Sequence, residues 1–236
     1  MPPVPSQPLP TDVDVFVFDV CDTLFYSNTT FDFLAFVLAQ KKLGGRQLLL
    51  KSLTTRWSPG FVGLALWQKV LGGDPAKTAA LRLLAGIPRA ELYELGRRFV
   101  QEFLRTRKIV RTHAMLQELT QARTRVVLLS ASLDPIIAAI AAELGGVEFV
   151  SSQLEYDAQQ RCTGRLLREL GGDKPRALAE VLGPDAESPR LAVATDNFTD
   201  HGLVSQAACR YVVVHRPAAK QFWQSLNPEF IEAYTK

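Results

Sequence analysis

Five short runs of β-branched and aromatic residues recur along the chain: Val13 to Phe18, Arg125 to Leu129, Val147 to Val150, Leu191 to Ala194 and Tyr211 to Val214. They are nearly continuous apolar runs, the pattern of strands covered on both faces. Between them the apolar spacing is helical, over Asp134 to Leu144, Lys174 to Leu182 and Asp200 to Ala208. Strand alternating with helix predicts an α/β fold, with a parallel sheet and helices on both of its faces. Ligands of such sheets bind at the carboxyl ends of the strands. The residues that follow each run are therefore the ones to read for chemistry.

One interval breaks the alternation. From Thr29 to Met115 no strand pattern occurs, and the apolar spacing is helical in Phe31 to Ala39, Gly63 to Leu71, Thr78 to Leu84 and Arg89 to Leu104. Thr29 or Thr30 is placed to cap the first helix, and Pro88 followed by Glu91 suits the start of the last. The division expected is a Pro-rich flexible leader over residues 1–11, an α/β core from 12–28 and 115–236, and an all-helical insertion over 29–114. Leaving the sheet directly after the first strand, the insertion is expected to sit over the strand ends as a cap.

Composition excludes several function classes. Of the 236 residues 47% are hydrophobic, and 27 Lys plus Arg against 24 Asp plus Glu leave a net charge of +3, so this is neither a disordered chain nor one whose charge argues for nucleic acid. Cys21, Cys162 and Cys209 form no C-x-x-C pair, which argues against a disulfide framework or a structural zinc site. The leader lacks the basic and apolar segments of a secretory signal. No run approaches the roughly 18 apolar residues needed to cross a bilayer. A cytoplasmic globular protein, monomer or homodimer, is expected.

Four strand-end or helix-start sequences carry chemistry. In Asp19-Val20-Cys21-Asp22-Thr23-Leu24 the first strand delivers a carboxylate to a turn with open amides, which suits a nucleophile or metal ligand as well as a turn-capping acid. In Leu128-Leu129-Ser130-Ala131-Ser132 a strand runs into small hydroxyl residues before a helix, an arrangement for binding an anion or for capping that helix with Ser132. Gly171-Gly172-Asp173-Lys174-Pro175 puts a lysine at a helix start, where it opposes the dipole; either it is solvated or it meets an anion. Ala194-Thr195-Asp196-Asn197-Phe198-Thr199-Asp200 ends a strand in two acids four residues apart. Mg²⁺ needs only one or two protein carboxylates besides water and substrate phosphate. Asp19 and Asp196 can supply them, while Asp200 can instead hydrogen-bond the site together.

The order and spacing of these four motifs resemble motifs one to four of the haloacid dehalogenase superfamily: a strand ending D-x-x-x-T-[LV], a strand ending in Ser or Thr, a lysine opening a helix, and D-x-x-x-D. The insertion after motif one resembles that superfamily's type-one cap. Ser130-Ala131-Ser132 and the segment Tyr156 to Leu166 ahead of Lys174 are similar to the subfamily that includes phosphoserine phosphatase. The resemblance implies a Rossmann-like core and attack by Asp19 on a phosphomonoester, forming an aspartyl-phosphate. It further implies Mg²⁺ on Asp19, the Cys21 carbonyl and Asp196, with Asp200 supporting the metal side. Thr23, Ser130, Ala131 and Lys174 would hold the phosphoryl group. Phosphoryl transfer asks mainly for positioning and charge neutralisation, which such a set supplies. Carbon–halogen hydrolysis uses the same nucleophile but no metal, and the Asp196/Asp200 pair argues against it.

One position departs from the resemblance. Where the family usually has a second Asp, two residues after the nucleophile, this chain has Cys21, and Asp22 stands where Gly is usual. A thiol is a poor acid and base for this step, whose loss is worth roughly 10² to 10⁴ in rate. Three readings follow: Asp22 transfers the proton, a good leaving group makes the slow step tolerable, or catalysis is lost and phosphate binding kept.

The substrate side is cationic. From Phe33 to Gly73 there is no Asp or Glu, while Lys41, Lys42, Arg46, Lys51, Arg56 and Lys69 lie among leucines, Trp57 and Trp67. This reads as cap core with solvated lysines outside, or as a face for a small amphipathic or lipid-like phosphate, with peripheral membrane contact through the cap. His113, His201 and His215 share no metal-ligand spacing; His201 adjoins Asp200 and suits a surface or helix-start position.

Overall fold

The structure, a computed structural model, describes residues 9–10, 12–55, 75–183 and 189–234. Seven strands form one sheet: β1 (Val15–Phe18), β2 (Arg125–Leu133), β3 (Glu148–Tyr156), β4 (Cys162–Arg168), β5 (Leu191–Thr195), β6 (Cys209–Val214) and β7 (Glu229–Glu232), in the order β4-β3-β2-β1-β5-β6-β7. All neighbours are parallel except β3 and β4. The α/β fold with a mostly parallel sheet is thus as expected. The five expected strands are present, and β2 and β3 run further than their apolar cores. The two additions are edge strands: β7 buries only Ile231, and β4 mixes buried and exposed positions, so neither carries a continuous apolar run.

Helices α1 (Thr29–Gln40), α2 (Gly44–Thr54), α3 (Pro75–Leu81) and α4 (Arg89–Phe99) fall between β1 and β2. They are followed by α5 (Val110–Gln121), α6 (Asp134–Glu143), α7 (Lys174–Leu182), α8 (His201–Gln206) and α9 (Lys220–Trp223). Helix α1 forms because Phe33, Leu34, Val37 and Leu38 recur on one buried face. Its cap is Asn28, whose side chain accepts from the Phe31 amide, not Thr29 or Thr30. The expected helix Arg89 to Leu104 changes hydrogen-bond period at Phe99 and finishes as a π-helical turn, Val100–Leu104. The expected helix Gly63 to Leu71, most of the leader and the Arg56 to Lys69 part of the basic stretch lie outside the described residues.

Alternation along β1 sends Phe16 and Phe18 to one face and Val15 and Val17 to the other. On the Phe side α1 and α4 join α6 in a single apolar cluster with the sheet, through Phe33, Leu34, Leu92, Phe99 and Ile136. On the Val side Leu178, Leu203, Val204 and Trp223 close the second layer. Helix α4 lies so close on α6 that a Cβ at Gly96 would run into the Pro135 carbonyl. Of the basic residues in the described part of the acid-free stretch, Arg46 donates to the carbonyls of Leu83 and Ala85 and Lys41 pairs with Glu91. Both hold helices together instead of facing solvent alone. Leu50 and Leu53 of α2 are buried, whereas Leu48 and Leu49 are exposed. No helix among the described residues is long and apolar enough to cross a membrane.

Candidate active site

The carboxyl ends of β1, β2 and β5 lie side by side, with Phe18 in register with Leu128 on one flank and Ala194 on the other. That register brings Asp19, Ser130 and Asp196 to one edge of the sheet. The Asp19 amide continues the ladder by donating to the Ala194 carbonyl at 2.9 Å. The fourth element is α7, which Gly172, in the left-handed region at φ 86°, turns toward this edge. Its first residue, Lys174, is 4% exposed, with Nζ 2.7 Å from Asp19 Oδ1 and 2.7 Å from Asp200 Oδ2. The lysine that opposes its own helix dipole is therefore neutralised by two carboxylates. Burial pushes the ammonium's pKa down, but Asp19 and Asp200 outweigh burial and hold it above the ordinary lysine value.

Asp200 serves the network through Oδ2, which also accepts from Thr195 Oγ1 at 2.7 Å. Asp19 is pushed upward by burial and drawn back by Lys174. Its Oδ2 makes the long contact to Thr23 Oγ1 at 3.4 Å, and a hydrogen bond from the Val20 backbone also favours the charged carboxylate. The Thr23 hydroxyl, expected on the substrate phosphate, is fully buried between the two acids. It lies 3.1 Å from Asp196 Oδ1 and accepts from the Asp196 amide at 3.0 Å, so it joins the two acids. Ser130 is likewise buried and accepts from the Ser132 amide at 3.3 Å, which leaves its own proton for another acceptor. The Ala131 carbonyl is held by Lys77 of α3 at 3.0 Å and by Ser152 Oγ at 3.0 Å.

One hydroxyl thus lies within hydrogen-bond distance of both Asp19 and Asp196. Burial, then the charges of Asp19 and Asp22, push the Asp196 carboxyl up to about 8. Lys174 reaches Asp19 and Asp200, whereas the described contacts of the Asp196 carboxyl are with the neutral Thr23. When ionised, Asp19, Asp196 and Asp200 against the one ammonium of Lys174 leave two negative charges, a donor set that suits a hard divalent ion. Among the described residues no group of three or more His, Cys, Asp or Glu side chains is arranged to hold a metal without backbone or substrate oxygens.

Cys21 is hydrogen-bonded toward α1. Its Sγ lies 2.8 Å from Thr29 Oγ1, which donates onward to Ser132 Oγ at 2.8 Å, and Thr30 Oγ1 reaches the same oxygen at 3.2 Å. Ser132 is therefore an acceptor for α1 and not the cap of α6, whose start has no side-chain cap. Burial, then the Asp19 charge, push the thiol up to about 11. Asp22 occupies the left-handed region at φ 50°, the conformation for which Gly is ordinarily used. Its carboxyl is raised by burial and lowered by His215. The His215 ring also holds the Asp22 carbonyl through Nε2 at 2.6 Å. His201 instead heads α8 and stacks on Trp223.

Sequence reasoning missed Thr29, Thr30, Thr195, His215 and Lys77. Thr195 carried a signal, a hydroxyl residue directly before Asp196 at a strand end; the others become neighbours of the site only through the fold.

Residues 16–204 match the family described as haloacid dehalogenase-like hydrolase. No curated protein matches the sequence. Among solved structures, a Bordetella pertussis Tohama I protein of unknown function superposes with TM-score 0.70 at 17% identity, over 94% of this chain and 99% of that one. A probable phosphoserine phosphatase from Vibrio cholerae gives TM-score 0.61 at 15% identity, over 92% and 59%. A phosphoserine phosphatase captured as a phospho-aspartyl intermediate analogue gives TM-score 0.57 at 15% identity, over 96% and 95%.

Proposed function

Because the chain belongs to the haloacid dehalogenase-like hydrolase family, we propose that it is a Mg²⁺-dependent phosphatase that cleaves a phosphomonoester through an aspartyl-phosphate on Asp19. The observation that carries this reading is Lys174, buried and bridging Asp19 Oδ1 and Asp200 Oδ2 at 2.7 Å each. It fixes the orientation of Asp19 and leaves Oδ2 to attack phosphorus as the ester oxygen departs. Water then cleaves the acyl phosphate, releasing phosphate and restoring the carboxylate. Lys174 and the Ser130 hydroxyl, with the Ala131 amide, balance charge on the phosphoryl oxygens. Mg²⁺ is assigned to Asp19, the Cys21 carbonyl and Asp196, with Asp200 supporting that side through the lysine. When bound it supplies a fixed positive charge beside the transferring group.

In this reading residues 29–114 act as a cap on a core of 12–28 and 115–236, after a leader of 1–11. The substrate is a small phosphorylated molecule in a cytoplasmic setting. An amphipathic or lipid-like phosphate, or membrane contact through the cap, draws support from exposed Leu48 and Leu49 beside Lys51. Liposome flotation tests it, and absence of binding to anionic vesicles rejects it.

A second reading, a phosphate-ligand binding or regulatory protein with weakened turnover, is favoured by the hydrogen bond from Cys21 to Thr29. Phosphate release from a generic aryl phosphate, with and without Mg²⁺, separates the two. Release that requires Mg²⁺ and disappears in Asp19→Asn supports the phosphatase. Turnover unchanged in Asp19→Asn removes the assigned nucleophile, and no release under any condition favours the binding protein.

A further inference from the structure

Ser130 and Leu133 of β2 pair with the adjacent Ser151 and Ser152 of β3, so Ala131 and Ser132 bulge out of the ladder between them. A bulge re-aims a strand, and its backbone groups must find partners other than the sheet. Here the inserted helices supply them. Thr29 and Thr30 of α1 donate to Ser132 Oγ at 2.8 and 3.2 Å, Tyr93 of α4 donates to Asp134 Oδ2 at 2.6 Å, and Lys77 of α3 donates to the Ala131 carbonyl at 3.0 Å. From the core, Ser152 Oγ reaches the same carbonyl at 3.0 Å.

Lys77 differs from the other tethers in what lies behind its acceptor. A peptide unit is planar and trans, so fixing the Ala131 carbonyl fixes the direction of the Ser132 N–H at the other edge of the same plane. That N–H donates to Ser130 Oγ at 3.3 Å. With a lone pair so occupied, the Ser130 hydroxyl is turned and its proton points elsewhere. The lysine is itself anchored. Its Nζ lies 2.6 Å from Glu169 Oε1, and this carboxylate stands over Gly171, where a Cβ would come within 3.2 Å of it. Gly171 precedes the left-handed Gly172 of the turn that delivers Lys174. One side chain of the insertion, 12% exposed, thus spans the two loops that carry Ser130 and Lys174. Paired with Glu169, it meets a carboxylate and a carbonyl, and its route to a bound anion runs through the loop.

We propose that Lys77 is a positioning residue for phosphate, supplied by the inserted helices: by holding the Ala131 peptide it aims the Ser132 N–H at Ser130, and it acts on the phosphoryl group through the Ser130 hydroxyl. This role rests on the reading that places phosphate at Ser130, and not on turnover.

Inorganic phosphate is the probe, titrated by calorimetry into the full chain in the presence of Mg²⁺, with circular dichroism checking the fold of each variant. Lys77→Met is expected to weaken phosphate about tenfold, or ~1.4 kcal/mol, and Lys77→Arg to recover most of the loss. Ser130→Ala is expected to weaken it by about tenfold as well. Adding Lys77→Met to Ser130→Ala is expected to cost less than about threefold more, because the hydroxyl that the lysine aims is gone. If Lys77→Met does not fold, Lys77→Gln takes its place with the same expectation. Unchanged phosphate affinity in the Lys77 variant, or independent losses that multiply to about a hundredfold in the double variant, overturns the role. The expected variant pattern without turnover of an aryl phosphate supports Lys77 and rejects the phosphatase, whereas no phosphate binding by the parent chain at about 10 mM overturns both.

Discussion

Lys174 Nζ and Asp200 Oδ2 stand 2.7 Å apart in a site where both side chains are almost fully buried, 5% and 3% exposed. Removing one partner of such a pair leaves an uncompensated charge and costs about 3–5 kcal/mol, whereas removing both can cost little. Lys174→Met is therefore expected to lower stability by about that amount. Adding Asp200→Asn is expected to restore part of the loss. Chemical denaturation of the two single variants and the double variant reads the coupling, and strictly additive losses would show that the residues do not share one network.

The contact between Cys21 and Thr29 leads to a gain-of-function expectation. With the thiol pushed up to about 11 and tied to Thr29, no carboxyl stands two residues beyond Asp19. Cys21→Asp supplies one, and general acid–base assistance is worth roughly 10² to 10⁴ in rate. Turnover of an aryl phosphate is expected to rise by about 10². The gain should be larger for alkyl phosphates, whose leaving groups need a proton most. A turnover equal to or below that of the parent chain would show that Asp22 or water already performs the transfer.

How much of this was legible depended on how far each interaction reaches along the chain. Asp19 and Asp196 could be read because a strand end is a local signal, and the parallel sheet aligned them by register. Lys174 could be read because its cost to the helix is local, and the structure supplies the compensating acids. Thr29 and Ser132 are 103 positions apart, and Asp22 and His215 are 193 apart. Nothing in either member of those pairs announces the other. β4 and β7 were illegible for a different reason. Edge strands bury one face or less, so their sequences lose the apolar continuity by which the central strands were recognised.

Gly96 tests how tightly the inserted helices are seated. It lies in α4 opposite Pro135 of α6, and a side chain there has only the carbonyl and ring of Pro135 to move into. Alanine gains helix propensity of up to about 1 kcal/mol over glycine. Overpacking of a close contact costs about 1–3 kcal/mol and is expected to prevail. Gly96→Ala should thus be destabilised in thermal melting. A more stable variant would mean that α4 can lift from α6 without penalty.

His113 gives the clearest stability dependence on pH. It sits in α5, with Nε2 3.0 Å from the Leu24 carbonyl and its ring edge-on to Phe25. Burial, then the Lys108 charge, lower its pKa from 6.5 to about 4. The fold thus prefers the neutral ring, with Nε2–H donating to Leu24. Above pH 6.5 the ring is neutral in folded and unfolded chains alike, and it adds no pH dependence. As pH falls from 6.5 to about 4 the unfolded chain binds a proton that the folded chain refuses, so stability declines, and below that range the difference is constant. Allowing for the ring's partial exposure, the loss is on the order of 2 kcal/mol. Buried carboxyls with raised pKa values, such as Asp134, act in the opposite direction, so the contribution must be read as a difference. Urea unfolding of the parent chain and His113→Gln across pH 4–7 isolates it. The parent is expected to lose about 2 kcal/mol more than the variant on acidification. Parallel pH profiles would show that His113 is protonated alike in both states.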